Sequence, residues 1–381
     1  MFNRAILHLD LDSFVVSVEC LKNSSLRGKP LIVGGNSSRG VVAACSYEAR
    51  AFGIHSAMPV KMAKRLCPHA LILQGDMDSY SKYSGLVTDI IADRAPIFEK
   101  ASIDEFYLDL TGMDRYFGCM KWSDELRQSI IRESGLPISF GLSVNKLVSK
   151  VGTGEAKPNG TREIPSGTEK DFLAPLSTAK IPGIGKETYK KLSFMGVRTI
   201  KVLSEIPAKL LERQFGENGR SLWEHANAID HRPVVPYHEA KSISKERTFE
   251  QDTLDMKRIR TLLLDMTEKL AFELRDSGKL CSVVTVKIRY ADFNTFSRQC
   301  KISYTALDKN LWPVVQELFQ KVYERRQLIR LIGVKFSGLV YGNPQFDLFE
   351  DTATQISLMR ELDHIRHRWG YSAIKRAVMT K

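Results

Sequence analysis

Long apolar runs are missing from this 381-residue chain, and none approaches the ~20 residues needed to cross a bilayer. The opening MFNRAILHLD has no charged-then-apolar signal pattern, so a cytoplasmic protein without membrane contact is expected. Cysteine is sparse and scattered (Cys20, Cys45, Cys67, Cys119, Cys281, Cys300), with no CxxC pair. That excludes a zinc ribbon and a disulfide framework and agrees with a reducing compartment. No repeat of solenoid period is present. Negative charge is outweighed, leaving a net charge of +12, and the surplus is local: residues 241–342 hold 19 Lys and Arg against 12 Asp and Glu. A basic block of this kind suits a polyanionic partner, with a solvated lysine-rich surface as the plain alternative.

What is there begins with acids in costly places. Asp10 ends the apolar run ILHLDL, and Asp104-Glu105 interrupts ASIDEFYLDL; an unpaired carboxylate beside a core is expensive. Along 6–12, Leu7, Leu9 and Leu11 alternate with Ile6, His8, Asp10 and Asp12, so one face is core and the other carries polar groups toward a cleft. Asp104 and Glu105 are neighbours and would face opposite ways on a regular strand. They can serve one site only at a hairpin tip or bulge, between strands near 98–102 and 106–110. Three carboxylates gathered there repel one another unless divalent cations lie between them, and Mg²⁺ held by carboxylates and substrate phosphates is the chemistry of phosphoryl displacement. Taken alone, the same acids read better as surface groups at strand ends, and it is the remaining motifs that reverse this.

A chain this long should divide into two or more domains. Residues 1–168 alternate strand-like runs (5–11, 30–34, 41–45, 70–73, 98–110, 137–144) with helical ones (79–94, 122–134), an α+β pattern. KPNGTREIPSGT marks a boundary at 157–168, short helices follow over 169–234, and 235–242 reads as a linker. Residues 243–341 run strand, helix, strand, strand, helix, strand, a βαββαβ unit with both helices on one face. The other face is free for a partner. Lys287, Arg289, Arg298 and Lys301 fall on its two middle strands in this reading, and Lys245, Arg247, Arg330 and Lys335 on the outer ones. The tail, 357–378, has helical apolar spacing in Leu358, Leu362, Ile365 and Trp369.

Four short motifs bear on chemistry. IPGIGKETYKKL has the form of a helix-hairpin-helix turn, where Gly183, Gly185 and the basic helix from Lys186 offer backbone N–H groups to a DNA phosphate; a plain Pro-Gly turn is the alternative. In SYEAR, Tyr47 and Arg50 are three apart and share a helical face. AKPNG adds Lys157 as a point charge beside Arg50's fork of donors. QFDLF, with Gln345, Leu348 and Phe349, suits a partner's pocket, or is a last strand on its own domain.

HLDLDSF, SYEARAFGI, ASIDEFYLD, SFGLSVNKLVSK, AKPNG and IPGIGK occur in the order and spacing of Y-family translesion DNA polymerases, which the chain resembles over about 4–342. The resemblance implies a right-hand polymerase: palm (1–12 and 79–168), fingers (13–78), helix-hairpin-helix thumb (169–234), linker (235–242), little finger (243–341), and a clamp-binding peptide with tail helix (342–381). It implies a monomer that extends primer-template DNA with deoxynucleoside triphosphates, with two Mg²⁺ ions for which Mn²⁺ can substitute. The implied metal ligands are Asp10, Asp104, Glu105 and the carbonyl of Leu11, with Asp12 a nearby acid outside the ligand set. Tyr47, Arg50 and Lys157 match triphosphate contacts, and Phe14 and Val15 match positions whose backbone nears the triphosphate and sugar. QFDLF resembles a sliding-clamp-binding pentapeptide, and no segment is left over for a proofreading domain. Two departures stand out. Val15 occupies the position where the family has an aromatic steric gate against the sugar 2′-hydroxyl, so weakened ribonucleotide exclusion is expected. Phe106 replaces a frequent Ala and is expected to pack beneath the hairpin.

Overall fold

The three leucines of the first strand decide how the N-terminal part folds. The computed structural model describes residues 2–35, 37, 39–115, 118–342 and 352–379, in two compact units, Met1–His238 and Glu239–Lys381. The pentapeptide QFDLF lies outside the described residues.

In chain order the first unit contains β1 (Ile6–Leu11), α1 (Phe14–Lys22), β2 (Leu31–Gly34), β3 (Val42–Cys45), α2 (Tyr47–Arg50), α3 (Val60–Leu66) and β4 (Leu71–Leu73). Next come α4 (Met77–Ala92), β5 (Phe98–Lys100), β6 (Glu105–Asp109), α5 (Cys119–Ser134), β7 (Ile138–Ser143), α6 (Lys146–Ala156) and β8 (Thr161–Glu163). A five-stranded sheet of order β5-β6-β1-β7-β8 has β1 at its centre, antiparallel to both neighbours, and a three-stranded sheet of order β3-β2-β4 stands apart. Leu7, Leu9 and Leu11 are buried with Phe106, Leu108, Phe140 and Leu142 against α4 and α5. Phe106 does pack beneath the hairpin, opposite Leu9. The opposite face of β1 receives α6, whose Ser149 and Thr153 hydroxyls donate to the carbonyls of Ile6 (2.7 Å) and His8 (3.0 Å). Gly141 permits this approach, since a Cβ there would fall 2.6 Å from the Thr153 nitrogen. Asn145 starts α6 by accepting the Val148 N–H at 2.9 Å.

Helices α7 (Glu169–Leu173), α8 (Lys186–Phe194), α9 (Ile200–Glu205), α10 (Ala208–Phe215) and α11 (Glu217–Ala226) bury Leu173, Leu192, Ile200, Leu203 and Leu211 together with Val148 and Val151 of α6. The run after α11 does not leave at once as a free linker. Val234 packs on Ile6 and Tyr107, the Val235 N–H donates to Glu99 Oε2 at 2.7 Å, and Arg4 holds the carbonyls of Asp230 and Arg232.

The second unit contains β9 (Ser242–Thr253), α12 (Met256–Asp276), β10 (Lys279–Tyr290), β11 (Thr295–Thr305), α13 (Asp308–Val322), β12 (Ile329–Ser337), β13 (Val340–Tyr341) and α14 (Thr352–Trp369). Its sheet order is β11-β10-β12-β9, antiparallel throughout. This corrects the strand positions expected from the sequence: β10 and β12 are central, so Arg330 and Lys335 lie inside the sheet, and Arg298 and Lys301 on an edge.

Register also sorts the basic residues by face. The pairs Val284–Phe336, Val286–Val334 and Ile288–Ile332 are buried under the helices. Lys245 lies across from Val334, Arg247 from Ile332 and Arg298 from Val286, so these three share the helix side. Lys245 bonds Glu273 of α12, and Arg298 bonds Glu324 at 2.9 Å. Lys287, Arg289, Lys301 and Lys335 have the opposite parity and line the open face. Arg330 sits where the register shifts, its guanidinium 4.4 Å from the Phe293 ring centre.

The tail folds back on its own unit. Arg275 of α12 bridges Asp308 (2.8 Å) and Asp363 of α14 (2.5 Å), while Glu268 meets Arg366 at 3.7 Å and bonds Arg376. Phe272 adds ring contacts to His367 and Tyr371. The helical spacing read from the sequence corresponds to α14; of its four apolar residues Leu362 and Ile365 are half-buried, and Leu358 and Trp369 are exposed.

Candidate active site

The acids meet at one end of the five-stranded sheet. Asp10 pairs directly with Glu105, the first residue of β6, so both carboxylates leave the same face. Asp104 ends the turn between β5 and β6, and its carbonyl accepts the Leu11 N–H at 3.0 Å. Ser102 shapes that turn, donating to Asp104 Oδ1 at 2.6 Å and accepting the Glu105 N–H at 3.1 Å. The turn brings two neighbouring acids to the sheet end that carries Asp10.

Two lysines face them from α6 and the residue after it. Lys157 Nζ bonds Asp10 Oδ1, and Lys150 Nζ bonds Glu105 Oε2 at 2.6 Å. Burial pushes the Asp10 carboxyl up to about 6; Lys157 opposes the rise, and the charges of Glu105 and Asp104 add to it. His8, two residues back, is held well below the usual imidazole range by burial, then by Lys150 and Lys157. Among the described residues no three acids, histidines or cysteines form a ready ligand shell, and Asp10 and Glu105 are turned onto the ammonium groups. The donor set still fits a hard divalent cation. It offers oxygen only, from adjacent backbone positions, and a positive group already stands at two of the three carboxylates. Lys150 was not singled out from the sequence, although its seven-residue spacing from Lys157, two helical turns, carried the signal.

Asp12 stands apart from this cluster. Only 2% exposed, it accepts from Ser139 Oγ (2.8 Å), the Asn159 N–H (2.7 Å) and the Tyr47 hydroxyl (3.3 Å). Tyr47 opens α2, where Ser46 accepts the Ala49 N–H, and the exposed Arg50 guanidinium lies 4.7 Å from the Tyr47 ring centre. Burial, then the Asp12 carboxylate, pushes the Tyr47 phenol up to about 12, so it stays a donor. Phe14 and Val15 begin α1 directly after Ser13, whose φ of 44° turns the chain sharply out of β1. The Phe14 ring is buried edge-on to Tyr80, 6.4 Å between centres, while Val15 is half-buried between two apolar clusters.

A cleft of about 380 Å³ lies beside Asp12, Tyr47 and Asn159, and a second of about 340 Å³ runs from Asp10, Lys150 and Lys157 to Lys180, Pro182 and Gly183. The second joins Asp10 and the two lysines to the glycine turn. Gly183 has φ 94°, which only glycine takes without strain, and Gly185 precedes the first turn of α8 at Lys186.

Comparison with known proteins agrees with this geometry. The impB/mucB/samB family matches residues 9–154, its C-terminal domain 240–348, and the DNA polymerase-iota thumb domain 179–230. A protein named DNA polymerase IV from Dehalococcoides mccartyi is 40% identical over 98% of this chain and 96% of its own length. Another of that name, from Desulfatibacillum aliphaticivorans, is 34% identical over 100% of this chain and 98% of its own. A solved Y-family DNA polymerase chimera superposes with a TM-score of 0.79 at 26% identity, covering 89% of this chain and 100% of that one. The chain belongs to the Y-family of DNA-directed DNA polymerases, the translesion class, with its palm, fingers, thumb and little finger. Within that class its relatives are the proteins named DNA polymerase IV.

Proposed function

We propose that this chain extends a primer on a DNA template, joining deoxynucleoside triphosphates to the 3′ end with release of pyrophosphate, and that it excludes ribonucleotides weakly. The observation that carries the reading is the cross-strand pairing of Asp10 with Glu105 beside Asp104, at the mouth of the cleft that runs to Gly183. Asp10, Asp104, Glu105 and the Leu11 carbonyl would hold Mg²⁺, two ions in all, with Mn²⁺ able to substitute. When bound, these cations neutralise phosphate charge and ease proton loss from the primer hydroxyl.

The chain's own groups do the positioning. Arg50 presents a fork of donors and Lys157 a point charge to the triphosphate, with the Tyr47 hydroxyl beside them. The backbone at Phe14 and Val15 approaches the sugar. Gly183, Gly185 and Lys186 hold the DNA backbone, as do Lys287, Arg289, Lys301 and Lys335 on the open face. Lys245, Arg247, Arg298 and Arg330 belong to the same basic block, at the helix side or the irregular strand end. The functional boundaries follow the ranges read from the sequence, with the linker starting after the strap at Val235. Gln345, Leu348 and Phe349 engage a sliding clamp, and the protein works as a cytoplasmic monomer.

Weak sugar discrimination rests on Val15. A valine lacks the ring that would abut a 2′-hydroxyl, and the Phe14 ring is buried against Tyr80. The test is primer extension with Mg²⁺, measuring kcat/KM for deoxy- and ribonucleotides in wild type, Val15→Phe and Asp104→Ala. Val15→Phe should raise the deoxy-to-ribo ratio about tenfold or more, and Asp104→Ala should abolish extension. A wild-type ratio already in the thousands and unchanged by Val15→Phe would refute the open gate; no extension by wild type would refute the polymerase reading.

A further inference from the structure

Asp12 lies in the turn just after β1, two residues beyond Asp10, and its oxygens bond other parts of the fold. Oδ2 takes the Ser139 hydroxyl from β7 at 2.8 Å and the Asn159 N–H from the loop after α6 at 2.7 Å. Oδ1 takes the Tyr47 hydroxyl at 3.3 Å, with Lys157 Nζ 3.8 Å away. Its backbone is fixed too, the N–H donating to the Pro137 carbonyl at 2.8 Å and the carbonyl accepting from Ser17 Oγ at 2.7 Å. Oδ2 is thus committed by two short bonds to β7 and the loop after α6, whereas Oδ1 holds one long bond to Tyr47 and an ionic contact to Lys157.

We propose that Asp12 is a positioning residue for the incoming nucleotide: it holds the hydroxyl of Tyr47 and the loop bearing Lys157 in register before a triphosphate arrives. This rests on the reading of Tyr47 and Lys157 as triphosphate contacts. The oxygen anchored by Ser139 and Asn159 stays fixed; the other is a resting acceptor for the Tyr47 hydroxyl and an ionic neighbour of Lys157, whose ammonium bonds Asp10. The Tyr47 bond is long and therefore easily given up, so a phosphate oxygen can replace that acceptor with a better one while Lys157 turns from Asp10. Arranging the donors in advance lowers the ordering cost of binding. An amide could keep its oxygen on Ser139 and Asn159 only by turning its NH₂ toward the Tyr47 hydroxyl and Lys157, so one of the two sets of donors loses its acceptor either way.

The experiment compares Asp12→Asn, Tyr47→Phe, the double variant and Ser139→Ala. Readouts are single-nucleotide extension kinetics and equilibrium binding of a deoxynucleoside triphosphate to enzyme on a dideoxy-terminated primer. Asp12→Asn should raise KM and the binding constant about tenfold or more, change kcat by less than threefold, and leave the Mg²⁺ concentration for half-activity unaltered. Ser139→Ala should show the same KM-selective pattern more weakly, and it serves as the test if Asp12→Asn does not fold. The double variant should lose little beyond the worse single one. Independent, multiplying losses would overturn the proposal, as would a raised Mg²⁺ requirement in Asp12→Asn. If Tyr47→Phe alone changes neither KM nor binding, the triphosphate reading fails and the proposal falls with it.

Discussion

Replacing Asp10 by asparagine should abolish primer extension and yet stabilise the metal-free protein. Burial raises this carboxyl from 3.8 to about 6 in the folded state, even with Lys157 attached. Each pKa unit corresponds to ~1.4 kcal/mol, so the ionised group costs the fold about 3 kcal/mol at neutral pH. The sign follows from proton counting: between 3.8 and about 6 the native state keeps a proton that the unfolded chain has released. Stability therefore falls as pH rises through that window and stays lower above it. Asparagine removes the cost, because it mimics the protonated form. Urea unfolding in EDTA, followed by pulse-labelling mass spectrometry on peptides from β1 and β7, isolates the first unit. The gain should be about 2–3 kcal/mol near pH 8 and shrink toward zero near pH 4. An Asp10→Asn protein less stable than wild type near pH 8, or an advantage independent of pH, would refute the reasoning.

Two further outcomes are expected. Arg275→Ala leaves the buried Asp308 and the half-buried Asp363 without their shared cation, and should cost the second unit about 3–5 kcal/mol; α14 should then exchange its amide hydrogens at near-random-coil rates, and unchanged protection would argue against ionic docking. Lys287→Ala with Arg289→Ala should lower the salt slope of DNA binding by about 2, whereas Lys245→Ala with Arg247→Ala should change it by less than about 1; equal effects from the two pairs would contradict the division by face.

Much of this was legible in the chain because periodicity and turn chemistry are local signals. The alternation from Ile6 to Asp12 gave β1 and its two faces, and the pair Asp104-Glu105 demanded a hairpin, found between 98–100 and 105–109. Other parts depend on partners far away in sequence. Helix α6 contains Val148, Val151, Gly152 and Gly154, poor helix formers, and it stands because it is pressed onto β1 and β7 where Gly141 makes room. Which strands are central in the second unit follows from pairings that no local pattern records, so the strand positions of Arg298, Lys301, Arg330 and Lys335 were misread. The face was within reach: Lys245 and Arg298 hold the parity of buried neighbours, countable once the register is known. Asp12's role was hidden for a similar reason, since three of its partners lie 35 or more positions away.

The two edges of the second sheet carry a consequence of their own. Strands β9 and β11, 12 and 11 residues long, are the two edges of this sheet among the described residues, the position most prone to recruit another chain. Both carry charge: β9 reads SISKERTFEQDT, and β11 holds Arg298 and Lys301 among Ser, Gln and Thr. Cationic side chains on an edge strand must be desolvated before a foreign strand can dock, and they repel a second copy bearing the same charges. The charges on both edges thus also guard a long sheet against sticking to itself, a property that would persist in a variant unable to hold DNA.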